Sequence, residues 1–161
     1  MKRRVQVIVM AVAFDLYWTL VVLFRERGLI IWLALAIIAC LMLPPAHRIY
    51  ALLLAIAGSV LDLFWTGSGL IEFNGGAPLP LWMVALWLMF ATVWTELTRT
   101  TTLPPWLLTL LATVGGPLAY FIGERLGAMT FLQAAPAVIG WMAAGWLILM
   151  MTFHILIGRR S

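Results

Sequence analysis

The chain has 161 residues, 65% of them hydrophobic and only 10% charged, with a mean hydropathy of +1.08. No soluble core of this size hides so much apolar surface, so part of the solvent must be lipid. The net charge of +4 gathers at the ends of apolar stretches, which sets membrane topology and excludes a nucleic-acid-binding surface.

A spanning helix takes about 20 residues, so the chain accommodates about six with short connections and leaves no room for a soluble domain. The expected fold is all-α: one polytopic transmembrane helix bundle covering residues 1–161. Its first apolar run follows Met1-Lys2-Arg3-Arg4, as in a signal peptide. Asp15 at its centre and Arg25-Glu26-Arg27 after it, with no small-x-small cleavage site, predict a retained helix over 5–24.

Helix 2 is expected over 29–43 and is short. Pro44-Pro45 ends it, because proline cannot continue the hydrogen-bond ladder. Helix 3 is expected over 49–65. The longest polar connection follows, with Glu72, Asn74, Gly75-Gly76 and Pro78. Helix 4 is expected over 80–95, helix 5 over 105–123 with Gly115-Gly116-Pro117 in its middle, and helix 6 over 137–157. With both termini in the cytoplasm, Lys2, Arg3, Arg4, Arg48, Arg99, Arg159 and Arg160 lie inside and Arg25, Arg27 and Arg125 outside. That excess of positive charge favours this orientation.

Two stretches put a carboxyl group at depth. They are Asp15-Leu16-Tyr17-Trp18-Thr19 in helix 1 and Asp62-Leu63-Phe64-Trp65-Thr66 in helix 3. An ionisable group in a spanning helix costs a few kcal/mol, so it normally faces a partner or a wet cavity. A carboxyl group out of water favours its neutral acid, which donates a proton or a hydrogen bond. The alternative is a polar clasp between helices.

Helical spacing places Gly58, Ser59, Asp62, Trp65 and Thr66 on one stripe. In helix 1, Ala11, Asp15, Trp18 and Thr19 repeat part of it, so the two stretches are expected as paired walls of one cleft. In helix 5, Gly116, Tyr120, Gly123 and Gly127 form another stripe, with Gly123-x-x-x-Gly127 as a close-packing pattern. Tyr120 is expected to turn its hydroxyl toward Asp62, and Arg125 to pair with Asp62 or Glu72.

The candidate catalytic residues are therefore Asp62, Tyr120 and Arg125. The candidate ligand-binding residues are Asp15, Trp18, Ser59, Trp65, Glu72 and Trp87. Trp82, Trp94 and Trp106 read as interface anchors. Cys40 reads as a small buried hydrophobe, and His154 as a packing residue. No spacing for zinc, haem or a phosphate-cradling loop is present, so no metal or cofactor is expected.

The chain resembles a group of small bacterial inner-membrane proteins known only as a domain of unknown function. The resemblance rests on Gly58-x-x-x-Asp62, Gly69-Leu70-Ile71-x-Phe73, Pro78-x-Pro80-Leu81-Trp82, Leu86-Trp87-x-x-Phe90 and Gly116-Pro117-x-x-Tyr120-x-x-Gly123-x-x-Leu126-Gly127-Ala128. It implies a polytopic inner-membrane protein and carries over no activity. Three functions fit: a lipid-linked site on Asp62 taking a lipid or small-molecule ligand, a small proton-coupled transporter, and a non-catalytic accessory protein. The carrier reading implies a homo-oligomer and the accessory reading a partner membrane protein.

Overall fold

The computed structural model describes residues 2–159. Met1, Arg160 and Ser161 lie outside it, and with them the topological charge assigned to Arg160. The order is α1 (Lys2–Phe24), a 3₁₀ turn (Arg25–Gly28), α2 (Leu29–Met42), α3 (Pro45–Gly67), β1 (Ile71–Phe73), α4 (Leu81–Thr100), α5 (Pro105–Arg125), β2 (Met129–Phe131) and α6 (Ala135–Gly158). Five helical segments among the described residues are long and apolar enough to cross a membrane: Lys2–Met42, Pro45–Gly67, Leu81–Thr100, Pro105–Arg125 and Ala135–Gly158.

The first of these is a hairpin. One continuous helix would hold Tyr17 and Trp32 about 22 Å apart. Instead the Tyr17 hydroxyl donates to the Trp32 carbonyl at 2.8 Å, so the chain doubles back at Arg25–Gly28. Local chemistry fixes the turn. Arg25 takes a left-handed φ of 48°, and the Trp32 indole N–H donates to its carbonyl at 2.9 Å. A Cβ on Gly28 would overlap the Trp32 ring. Alone, α2 is about 21 Å long, short of a hydrocarbon core of about 30 Å.

Helix α3 starts at Pro45 rather than at 49. Proline suits a first helical turn, where its missing N–H has no partner to lose. Arg48, from that turn, donates to the Leu43 and Leu41 carbonyls at 3.0 and 2.6 Å and closes the end of α2.

The chain divides into two compact units. The first runs to Ile56 and again over Leu81–Thr102; the second comprises Ala57–Pro80 and Leu103–Ser161. In the first, α4 packs against α2 and α1. Small residues Ala85 and Ala91, with Ala36 of α2, let backbones approach, and Trp82 and Trp87 are buried among them. Trp82 is thus a core residue, not an interface anchor, whereas Trp106 is well exposed.

In the second unit, α5 and α6 form the main helix pair. Helices α3 and α5 end alike. Leu70 N–H donates to the Trp65 carbonyl and Gly69 N–H to Thr66; Ala128 N–H donates to Gly123 and Gly127 N–H to Glu124. Both are Schellman ends, closed by a glycine at positive φ, 77° at Gly69 and 82° at Gly127. Gly127 therefore serves a turn and not the helix-packing pattern expected of it. Each end leads into a short strand, and β1 and β2 pair antiparallel with Glu72 opposite Thr130.

Outside both units the surface is apolar. Ile30, Ile56, Val60, Phe64, Val114, Trp141 and Ile148 are all more than half exposed. Such a surface on long apolar helices is that of a multi-pass membrane-embedded protein, with lipid as its outer solvent.

Candidate functional site

Asp62 has no accessible surface, and Tyr120 is 3% exposed. The Tyr120 hydroxyl donates to the Asp62 carboxyl, joining α3 to α5. Spacing explains why α3 presents Asp62 inward: Gly58, Asp62 and Trp65 are buried and Ser59 and Thr66 half-buried, while Val60, Leu63 and Phe64 face out.

Two further contacts close a ring of three helices. Trp65 of α3 lies over Gly145 of α6, where a Cβ would overlap its ring. Trp146 of α6 lies over Gly116 of α5 with the same consequence. Each helix thus sends one large side chain onto its neighbour: α3 to α6 by Trp65, α6 to α5 by Trp146, and α5 to α3 by Tyr120. Two of the three contacts need a glycine to receive a ring, and the third needs a hydrogen-bond acceptor.

The arrangement also holds a buried donor that nothing receives. Among the described residues the Trp65 indole N–H is buried and has no acceptor. A buried donor without a partner costs about 1–3 kcal/mol, so this is where an incoming oxygen would be stabilised. The buried carboxyl of Asp62 can accept or deliver a proton, and the Tyr120 hydroxyl fixes its orientation.

The strand ribbon closes this end of the unit. Leu132 N–H donates to the Leu70 carbonyl, Asn74 N–H to Ala128, and the Asn74 amide to Gly127. Glu124 accepts from Phe131 N–H, and Thr66 donates to the Pro78 carbonyl at 3.1 Å. Glu72 is exposed on β1. Arg125 is also exposed, its guanidinium 5.2 Å from the centre of the Phe121 ring. Among the described residues it pairs with neither Asp62 nor Glu72, because α5 directs it away from the buried face.

The other candidates belong to the first unit. Asp15 is exposed and Trp18 half-buried on α1. Trp87 is buried on α4, with Phe90 edge-on to it at 5.7 Å. Among the described residues no three His, Cys, Asp or Glu side chains gather where a metal ion could be held.

One buried polar pair was not foreseen. His154, expected merely to pack, is buried with Nδ1 2.7 Å from the hydroxyl of buried Thr109. Thr109, Gly116 and Tyr120 share one face of α5, so a helical wheel drawn from Tyr120 reaches Thr109 directly. A second signal was an internal repeat. Tyr120 lies 58 positions after Asp62, and the same step relates Gly58 to Gly116, Gly69 to Gly127 and Phe73 to Phe131. It also relates Glu72 to Thr130, which face each other across the ribbon. The two arms are thus related by a local two-fold, and Asp62 and Tyr120 are equivalent positions that meet.

Comparison with protein families matches residues 7–152 to the protein of unknown function family DUF2878, and the chain belongs to that family. No curated protein and no solved structure matches it.

Proposed function

We propose that the chain is a six-span protein of the bacterial inner membrane, with both termini in the cytoplasm, that binds or modifies a lipid-derived molecule at Asp62 in the outer half of the bundle. Asp62 is the proton-handling group and Tyr120 holds it. Trp65 supplies an N–H to an oxygen of the ligand, such as an ester carbonyl. Arg125, exposed at the same end of α5, supplies a cation to a headgroup.

The observation that carries this reading is the fully buried Tyr120–Asp62 hydrogen bond beside the unsatisfied Trp65 donor. A lipid ligand fits because Leu63 and Phe64, on the same turns as Asp62, face the bilayer. A molecule already dissolved in the membrane reaches this wall sideways, without crossing an aqueous route. The test is the lipid composition of a deletion strain complemented with wild type or with Asp62→Asn. The reading expects a lipid species to change on deletion and to be restored by wild type alone. Equal restoration by the asparagine variant would remove Asp62 from the chemistry.

A proton-coupled carrier is the second reading, favoured by the Thr109–His154 pair. It lies eleven residues from Tyr120 along α5, about 16 Å, which gives the second unit one protonatable group near each end. Proton flux into proteoliposomes that needs both Asp62 and His154 would select this reading over lipid chemistry.

A further inference from the structure

Two opposite charges stand at the ribbon end of the second unit without neutralising each other. Side chains alternate across the ribbon: Ile71, Phe73 and Met129 are buried, whereas Glu72 and Thr130 stand opposite each other on the exposed side. Arg125, the last residue of α5, is exposed too, with its guanidinium over the Phe121 ring. Among the described residues neither Glu72 nor Arg125 has an ion-pair partner. Glu124, the next charged group at this end, is already engaged by Phe131 N–H at 2.5 Å. From Arg125 to Thr130 the chain reaches at most about 18 Å, and the turn at Gly127 folds it shorter.

The heights of these groups above Asp62 say what kind of ligand spans them. Helices α3 and α5 both run toward the ribbon. Along them Trp65 stands about 4.5 Å beyond Asp62, and Arg125 about 7.5 Å beyond Tyr120, the partner of Asp62. Glu72 lies further still, past the last turn of α3. The climb from Asp62 to Arg125 matches one headgroup layer of a bilayer, about 5–8 Å thick. In a phospholipid that layer holds the ester carbonyls, then the phosphate, then the terminal group. The protein offers, in the same order, an N–H donor, a guanidinium and a carboxylate. A guanidinium takes phosphate oxygens in pairs. A carboxylate beside a hydroxyl accepts N–H bonds, so the terminal group that fits is a primary amine. A quaternary ammonium has no N–H to give and is held by aromatic faces, whereas Glu72 has Thr130 beside it.

We propose that the ligand at Asp62 is a phospholipid with a phosphoethanolamine headgroup. Its phosphate sits on Arg125, its ammonium on Glu72 and Thr130, and an ester carbonyl on the Trp65 N–H. The proposal rests on the reading of Asp62 as a lipid site and adds the headgroup to it. Recognition lies at the ribbon and proton handling below it, so each can be lost without the other.

The test is native mass spectrometry of the full-length protein in mild detergent. It is titrated with phosphatidylethanolamine, phosphatidylcholine and phosphatidylglycerol of the same acyl chains. Wild type is expected to hold the ethanolamine lipid about tenfold more tightly than the other two. Glu72→Gln is expected to remove that preference, and Thr130→Val to reduce it about threefold; the second variant reads the same contact if the first misfolds. Arg125→Gln is expected to weaken all three lipids alike, by about tenfold. Asp62→Asn is expected to keep the wild-type preference, which separates this proposal from the reading beneath it. A preference retained while Asp62→Asn still restores the deletion strain removes the chemistry and leaves the headgroup. Equal binding of the three lipids by wild type, or a preference that survives both Glu72→Gln and Thr130→Val, overturns the proposal. Displacement of the lipid by an equal concentration of soluble glycerophosphoethanolamine overturns the membrane source and assigns the ribbon to a water-soluble ligand.

Discussion

The stretches Asp15-Leu16-Tyr17-Trp18-Thr19 and Asp62-Leu63-Phe64-Trp65-Thr66 differ at one of five positions, yet they are turned oppositely in their units. In the first, the aspartate is exposed and the third residue, Tyr17, is buried, with its hydroxyl on Trp32. In the second, the aspartate and the fourth residue, Trp65, are buried, and the third, Phe64, is 61% exposed. The order of side chains does not decide which face turns inward. Neighbours do: Trp32 offers a carbonyl to a tyrosine, whereas Tyr120 offers a hydroxyl to a carboxyl and Gly145 offers room for an indole. A carboxyl within a helix becomes a site where another element brings it a donor.

The comparison breaks first at the glycines. Gly116→Leu and Gly145→Leu put a side chain where the Trp146 and Trp65 rings lie. Each is expected to destabilise the second unit by about 3 kcal/mol, read as a lower thermal midpoint in detergent. A midpoint within a degree of wild type would mean that the rings have somewhere else to go.

Tyr120→Phe comes next. It removes the donor from a fully buried carboxyl and is expected to cost about 2 kcal/mol. Asp62→Asn keeps the shape and a hydrogen-bond acceptor, so about 1 kcal/mol is expected, together with the full lipid phenotype of the deletion strain. That split between stability and function separates a working carboxyl from a clasp. Thr109→Val, at the far end of α5, is also expected to cost about 1 kcal/mol, without the lipid phenotype.

The smallest effect falls on the other stretch. Asp15→Leu replaces an exposed carboxyl by an apolar side chain on an apolar surface. Stability is expected to change by less than about 0.5 kcal/mol, measured by unfolding in detergent. A loss as large as that of Tyr120→Phe would show that the two aspartates are not opposed in role.

Much of this was legible because membrane helices advertise themselves by composition, and the buried stripe of α3 follows from spacing alone. The approach of Tyr120 to Asp62 was also within reach, since both stripes carry small residues that permit contact. What composition hides is local. The hairpin turn at Arg25–Gly28 depends on one ring lying over one glycine. The role of Gly127 depends on its φ, and in sequence a closing turn and a packing motif look the same. The strands are three residues each and carry no periodicity to detect, and their pairing appears only once the two arms are aligned. Trp82 misled because tryptophan suits a membrane interface and a core equally well.

The ribbon between β1 and β2 also has a bearing on how the protein is made. Its strands are separated in the chain by all of α4 and α5, so β1 leaves the ribosome long before its partner exists. Until α5 and α6 arrive, Asp62 sits in a nascent chain with neither Tyr120 nor a glycine bed for Trp65. The second unit is therefore a late product of synthesis, completed from its last helices backward. A chain stopped after α4 displays an unescorted carboxyl within the bilayer, a mark that membrane quality control can read.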